Sequence, residues 1–169
     1  AVATERLAHE VGAVAVTVDV TRRGDVERML DTAVSRWGRV DVLFNNAGIV
    51  RDAQMIKWKD GEVVAVMTDE IFDAVIDVNL RGPFYCARAA SKQMVAEGHG
   101  GVIINVASGT AMRAYPMSFG YGAAKAGVIA LTKSLSAMLQ KHDIRVNCII
   151  PGYVRQAPAR NEREEIFAK

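Results

Sequence analysis

The sequence has no long apolar run, little net charge and almost no cysteine, and each shortage removes a class of function. No stretch approaches the roughly 20 apolar residues a membrane-spanning helix needs, so no membrane partner is expected. A formal net charge of +2 over 169 residues offers no basic field for nucleic acid or an anionic surface. Cys86 and Cys148 lie in Phe-Tyr-Cys-Ala and Asn-Cys-Ile-Ile with no Cys-x-x-Cys spacing. They read as buried, reduced thiols, which suits a cytoplasmic setting. His9, His99 and His142 form no ligand pattern, and no metal is expected. A glycine-rich Gly-x-x-x-Gly-x-Gly turn is also missing. The opening, Ala1-Val2-Ala3-Thr4-Glu5-Arg6, has neither an initiator Met nor a signal-peptide layout, so the sequence is expected to begin mid-protein.

What is present describes one globular domain over residues 1–169. Half of the residues are apolar and about a quarter charged, and short apolar strands alternate with amphipathic helices. Residues 1–11 read as a helix stopped by Gly12, and residues 13–18 as a buried strand ending at Asp19. A helix over 25–37 closed by Gly38 and a strand over 40–44 follow. That strand runs into Asn45-Asn46-Ala47-Gly48. Residues 56–67 alternate around Asp60-Gly61 and predict a β-hairpin. It reads either as a substrate-rim or oligomer element, or as a tolerated surface insertion. Thr68 can cap a helix from Asp69 to about residue 96, bent near Gly82-Pro83. A strand over 102–106 leads to Ala107-Ser108. A helix over 121–141 and a strand over 145–150 then end at Pro151-Gly152. The polar tail allows a short helix over 160–168.

Four strands separated by helices predict an α/β fold: a doubly wound parallel sheet of the Rossmann type, in three αβα layers. Ligands in such sheets sit beyond the carboxyl ends of the strands. Asp19, the 45–48 turn, Ser108 and Pro151-Gly152 all fall on that edge.

Tyr121 and Lys125 stand four apart at the start of a helix and so share one face. A free phenol is a poor acid-base group at neutral pH, and a neighbouring ammonium stabilises its phenolate. Ser108, 13 residues before Tyr121, can donate to a carbonyl or alkoxide oxygen. These are parts for moving a proton on or off a substrate oxygen. A Tyr-x-x-x-Lys spacing alone is weak, and each motif taken singly could be a turn or a surface helix residue.

Together, Asn45-Asn46-Ala47-Gly48, Asn79 in Val-Asn-Leu-Arg-Gly, Ser108, Tyr121-x-x-x-Lys125 and Pro151-Gly152 resemble the short-chain dehydrogenases/reductases in order and spacing. The resemblance covers essentially the whole sequence. It implies a nicotinamide-dependent oxidoreductase, using NAD or NADP, that interconverts a ketone and a secondary alcohol. It implies Tyr121 as general acid/base, Ser108 on the reacting oxygen, Lys125 on the nicotinamide ribose, and Asn79 holding a relay water. Asp19 with Val20 would meet the adenine edge, Asn45, Ala47 and Gly48 would border the adenosine ribose, and Pro151, Gly152 and Val154 would complete the cofactor site. A 3-oxoacyl thioester reductase is one substrate reading, with sugar-alcohol or steroid-like alcohols beside it.

The sequence departs from the family pattern at three places. The family's first strand, glycine-rich turn and helix, and the second strand that selects NAD or NADP, have no counterpart here, so the preference between them is not legible. Gln156 stands where threonine is common in Pro-Gly-x-Val-x-Thr. The connection through Asp60-Gly61 is longer than usual.

Met112, Arg113, Tyr115 and Phe119, with Met117, are expected to line a substrate pocket opposite Tyr153. Arg113 reads as an anion contact or as a solvated loop arginine. The family also implies a homo-oligomer, a tetramer or dimer, packed through helices near 73–96 and 121–141. Ala87, Ala89, Ala90, Ala123, Ala124 and Ala126 would allow close approach there. The alternative from another class is a non-catalytic nucleotide sensor or interaction protein on the same fold.

Overall fold

The computed structural model describes residues 2–152. Strand β1 (Val42–Asn45), strand β4 (Gly101–Val106) and strand β5 (Ile144–Ile149) form a parallel sheet in the order β1-β4-β5. Asn45 pairs with Asn105, and Asn105 with Cys148. Side chains alternate across the sheet as a period of two requires. Leu43, Ile103, Ile144 and Val146 are buried on one face, whereas Val42, Phe44 and Ile149 on the other are exposed.

The covered face lies under helices α2 (Arg23–Trp37), α4 (Gly82–Glu97) and α5 (Phe119–Leu139). Val26 and Leu30 of α2 and Cys86, Ala87, Ala90 and Met94 of α4 form one core cluster with the inward strand residues. Apolar burial of about 25 cal/mol per Å² holds these layers together. Of the expected three layers, the described residues supply the sheet and this one helical layer.

Helix α1 (Val2–Glu10) is followed by Gly12 at φ +68°, and α2 by Gly38 at φ +82°. Gly38 donates its N–H to the Val34 carbonyl at 2.7 Å, an αL closure that a Cβ would disfavour. Residues 13–18 depart from expectation. They join no sheet, although Val18 packs on the core. An apolar run does not name its neighbour, and a strand forms only where another strand supplies the ladder.

The hairpin forms from β2 (Ile56–Lys59) and β3 (Glu62–Val66). Asp60 and Gly61 both have positive φ, 51° and 88°, as a two-residue turn of this hand demands. Ile56, Trp58, Val63 and Val66 share one face, and Lys57, Lys59 and Glu62 the other. All are exposed.

Helix α3 (Asp69–Ile76) continues through a π-helical turn, Asp77–Arg81, into α4. The expected bend at Gly82-Pro83 is thus a widened turn just before it. Gly82 donates its N–H to the Asp77 carbonyl, and Pro83 has no N–H to sustain the regular ladder. Thr68 holds the N-cap position of α3 without a side-chain capping bond.

Candidate active site

Lys125 sits one turn after Tyr121 near the start of α5 and is only 2% exposed. Its Nζ donates to the carbonyl oxygen of Val106, the last residue of β4, at 2.8 Å. The same ammonium stands 5.5 Å from the centroid of the Tyr121 ring. Burial holds the Lys125 pKa below the ordinary lysine value, and no carboxylate pairs with it among the described residues. One donor is used on Val106, so two others are free for a ligand.

Asn79 lies in the π turn, fully buried. Its Nδ2 donates to the carbonyls of Ile49 at 2.8 Å and Val75 at 2.9 Å. Its Oδ1 is buried with no partner. Gly48 lies directly against this pair. A Cβ there would come 2.7 Å from Asn79 Oδ1 and 3.6 Å from Lys125 Nζ. The turn after β1, the π turn and the head of α5 thus converge at one point, though they are 31 and 46 residues apart along the chain (79 − 48 and 125 − 79). Asn45 is buried, while Ala47 and Gly48 are exposed. The backbone there is open to a close-approaching ligand.

Ser108 precedes a short 3₁₀ turn, Gly109–Ala111, and its Oγ accepts from the Thr110 amide at 3.3 Å. That leaves its own proton free to donate. Gly109 donates to the Pro151 carbonyl at 3.1 Å, and Ala107 to that of Ile149 at 2.9 Å. Pro151 is therefore brought beside the Ser108 segment, and Gly152 follows it, exposed.

Asp19 is exposed and locally engaged. The hydroxyl and then the amide of Thr21 hold its carboxyl below the usual carboxylate range. Val20 turns inward, its Cγ2 2.9 Å from where a Cβ on Gly82 would stand. Its side chain is packing, and only its backbone borders the strand-end edge.

Met112, Arg113 and Tyr115 are exposed and Phe119 is half-buried. Their loop is tied to the segment after β1. Ala53 donates its N–H to the Met117 carbonyl at 3.0 Å, and Ser118 Oγ bonds the Asp52 carboxylate. Tyr153, Val154, Gln156 and the tail helix lie outside the described residues. A groove of about 540 Å³ between α2 and α4, lined by Arg23, Leu30, Tyr85 and Lys92, contains none of these residues. It is a cleft between exposed helix faces, remote from the converging polar groups. Among the described residues, no group of His, Cys, Asp or Glu could hold a metal ion.

Three buried polar residues, Ser91 in α4, Asn105 and Thr132, escaped the sequence reading. Asn105 is fully buried in β4 and Thr132 nearly so in α5. The only signal was an asparagine inside the apolar run Val102-Ile103-Ile104, where an unpaired amide would be costly.

The residues present fit a nucleotide bearing a ribose. The gap at Gly48 admits a group a side chain would exclude, the orphaned Asn79 Oδ1 calls for a donor, and Lys125 retains donors for hydroxyls. A family model described as short chain dehydrogenase matches residues 1–166. A 3-oxoacyl-[acyl-carrier-protein] reductase from Synechocystis is 38% identical over 154 residues, covering 91% of this chain and 58% of that protein. The reductase FabG from Thermotoga maritima is 37% identical over 81% of this chain and 52% of its own length. Among solved structures, a short chain dehydrogenase from Mycobacterium smegmatis superposes with a TM-score of 0.78 at 36% identity, covering 88% of this chain and 59% of that one. ElxO with NADP bound also gives a TM-score of 0.78, at 29% identity, over 89% of this chain and 59% of its own. The chain spans between half and three-fifths of the length of these relatives.

Proposed function

The chain belongs to the short-chain dehydrogenase family, and from that membership we propose that the protein is an NAD(P)(H)-dependent oxidoreductase interconverting a ketone and a secondary alcohol. The observation that carries the proposal is the meeting of Lys125, Asn79 and Gly48 beside Tyr121, on the strand-end edge.

In carbonyl reduction, Tyr121 delivers its phenolic proton to the substrate oxygen, and in alcohol oxidation it removes that proton. Ser108, its Oγ–H uncommitted, donates to the same oxygen and stabilises charge developing there. The Lys125 ammonium stands beside the Tyr121 ring and directs its remaining donors at ribose hydroxyls. Asn79 presents Oδ1 to a proton donor beside Lys125, which suits relay to solvent. The nicotinamide, when bound, supplies or accepts the hydride. Asn45, Ala47 and Gly48 border the nucleotide, with Asp19, the Val20 backbone, Pro151, Gly152 and Val154 completing its site.

The named relatives support a 3-oxoacyl thioester as substrate. Met112, Arg113, Tyr115, Phe119 and Tyr153 would line its pocket, with the 56–67 hairpin as an insertion at the rim. A cytoplasmic homo-oligomer is the assembly that best suits the family. Ala87, Ala90 and Ala124 are fully buried within the subunit, so only residues such as Ala123 and Ala126 remain exposed for a partner. No helix among the described residues is long and apolar enough to cross a membrane.

The test is titration of the full-length protein with NADH and NADPH, followed by absorbance assays over a ketone panel including a 3-oxoacyl thioester. Tyr121→Phe is expected to abolish turnover while cofactor binding persists. Failure of the full-length protein to bind either cofactor would overturn the enzyme reading in favour of an interaction protein. Full activity of Tyr121→Phe would remove that residue from the mechanism.

A further inference from the structure

A chain of buried hydrogen bonds crosses the molecule beneath the site. Asn45 Nδ2 donates to Asn105 Oδ1 at 2.9 Å, and Asn105 Nδ2 donates to Thr132 Oγ1 at 2.9 Å. Thr132 Oγ1 donates to the Val128 carbonyl of its own helix at 2.8 Å. Asn45, Asn105 and Thr132 are 7%, 0% and 6% exposed. The direction of the chain is determined by its far end. Thr132 spends its single proton on Val128, so toward Asn105 it can only accept. Asn105 must therefore present Nδ2 to the helix and Oδ1 to Asn45.

We propose that Asn105 and Thr132 are positioning residues that set the register of α5 against the sheet, and so place Tyr121 and Lys125 opposite Ser108 and the 45–48 turn. The proposal rests on the oxidoreductase reading for the roles of those four groups. Lys125, Val128 and Thr132 form the buried stripe of α5. Lys125 and Thr132 are seven residues apart, about 10 Å along the axis at 1.5 Å per residue. Both reach β4 at its last two residues, Lys125 on the Val106 carbonyl and Thr132 on the Asn105 amide. Two anchors that far apart prevent the helix from sliding or rolling.

To the close packing of helix on sheet this adds a directional cost, because breaking a buried amide–hydroxyl bond orphans both partners. Ser108 is two residues beyond Val106 and Tyr121 four before Lys125. Any slippage therefore changes the Ser108–Tyr121 relation directly. On the other side of β4, the in-register pair Asn45 and Asn105 ties the same strand to the nucleotide-bordering turn. One polar chain thus joins the cofactor edge to the proton-transfer helix through the middle of the sheet.

The experiment compares Thr132→Val, which replaces the hydroxyl by a methyl of similar size, with Thr132→Ser, which restores it. Leu139→Ala serves as a matched destabilising change, because Leu139 is buried at the far end of α5. Amide hydrogen exchange is read at residues 121–125 in the protein without substrate, and kcat and its pH profile are read where turnover is seen. Thr132→Val is expected to speed exchange at 121–125 by about tenfold or more, to lower kcat by a similar factor and to displace the pH profile. Thr132→Ser should return all three to wild-type values. Leu139→Ala should lower the melting temperature with exchange at 121–125 unchanged. Should Thr132→Val fail to fold, Asn105→Asp takes its place, since a carboxylate cannot donate to Thr132. Wild-type exchange at 121–125 in these variants overturns the positioning role whatever the activity. Turnover absent from the wild type, with the exchange pattern as expected, counts against the oxidoreductase reading alone.

Discussion

Lys125 donates to the carbonyl oxygen of Val106 at 2.8 Å from a side chain that is 2% exposed. An ammonium held in the protein without a carboxylate partner is an arrangement folding does not favour on its own. It is expected where the charge has work to do toward a ligand.

The energetic consequence is testable by pH. Burial lowers the Lys125 pKa below its ordinary 10.5. Between the lowered native value and 10.5 the unfolded chain therefore holds more protons than the native one, and stability rises with pH across that window. Lys125→Met should lack this rise. Urea unfolding of both proteins at successive pH values should show the wild type gaining on the variant as pH climbs. A difference that stays constant would refute the buried charge.

Gly48→Ala is expected to disturb the site without straining the backbone. The added methyl would lie 2.7 Å from Asn79 Oδ1, so Asn79 must move away from the carbonyls of Ile49 and Val75. Turnover should fall by about tenfold or more, with weaker cofactor binding and only a modest loss in melting temperature. Steady-state kinetics and cofactor titration of the variant check this.

Two glycines at the α4–β4 connection should respond differently to alanine. Gly98 (φ +69°) has open space around it, so Gly98→Ala costs only the left-handed strain, about 1 kcal/mol. Gly100 (φ +72°) adds a contact of 2.6 Å to the Asp143 carbonyl oxygen, which is backbone and cannot turn aside. Gly100→Ala should therefore cost about 3 kcal/mol or more. Urea midpoints that rank the two variants the other way would contradict the geometry.

The thiol of Cys86 is buried in the core and pushed up to about 11 by desolvation. At pH 8 it should be nearly inert to a thiolate-selective reagent in the native protein and react at the ordinary rate once urea unfolds it. Mass spectrometry of the labelled peptides identifies which cysteine is modified at each stage.

Much of this was legible from the sequence because local chemistry announces it. The Asp60-Gly61 turn, the αL glycines Gly12 and Gly38 and the Tyr121-x-x-x-Lys125 face follow from φ preferences and helical spacing, which act over a few residues. The strand over 13–18 was misread because its apolar pattern is real but its pairing is a property of the neighbour. The widened turn at Asp77–Arg81 had no signature beyond Pro83, yet it carries the buried Asn79.

By itself the sequence determined the alternation of elements and the edge on which the polar residues fall, and it put forward Ser108, Tyr121 and Lys125 as the proposed proton-transfer groups. Only the tertiary structure decided that Gly48, Asn79 and Lys125 meet, and that Asn45, Asn105 and Thr132 form one bonded chain. Spacing along a chain sets which face a residue takes. Contact between residues tens of positions apart depends on strand order, register and the close packing of helix on sheet, and those arise only when the whole core is assembled.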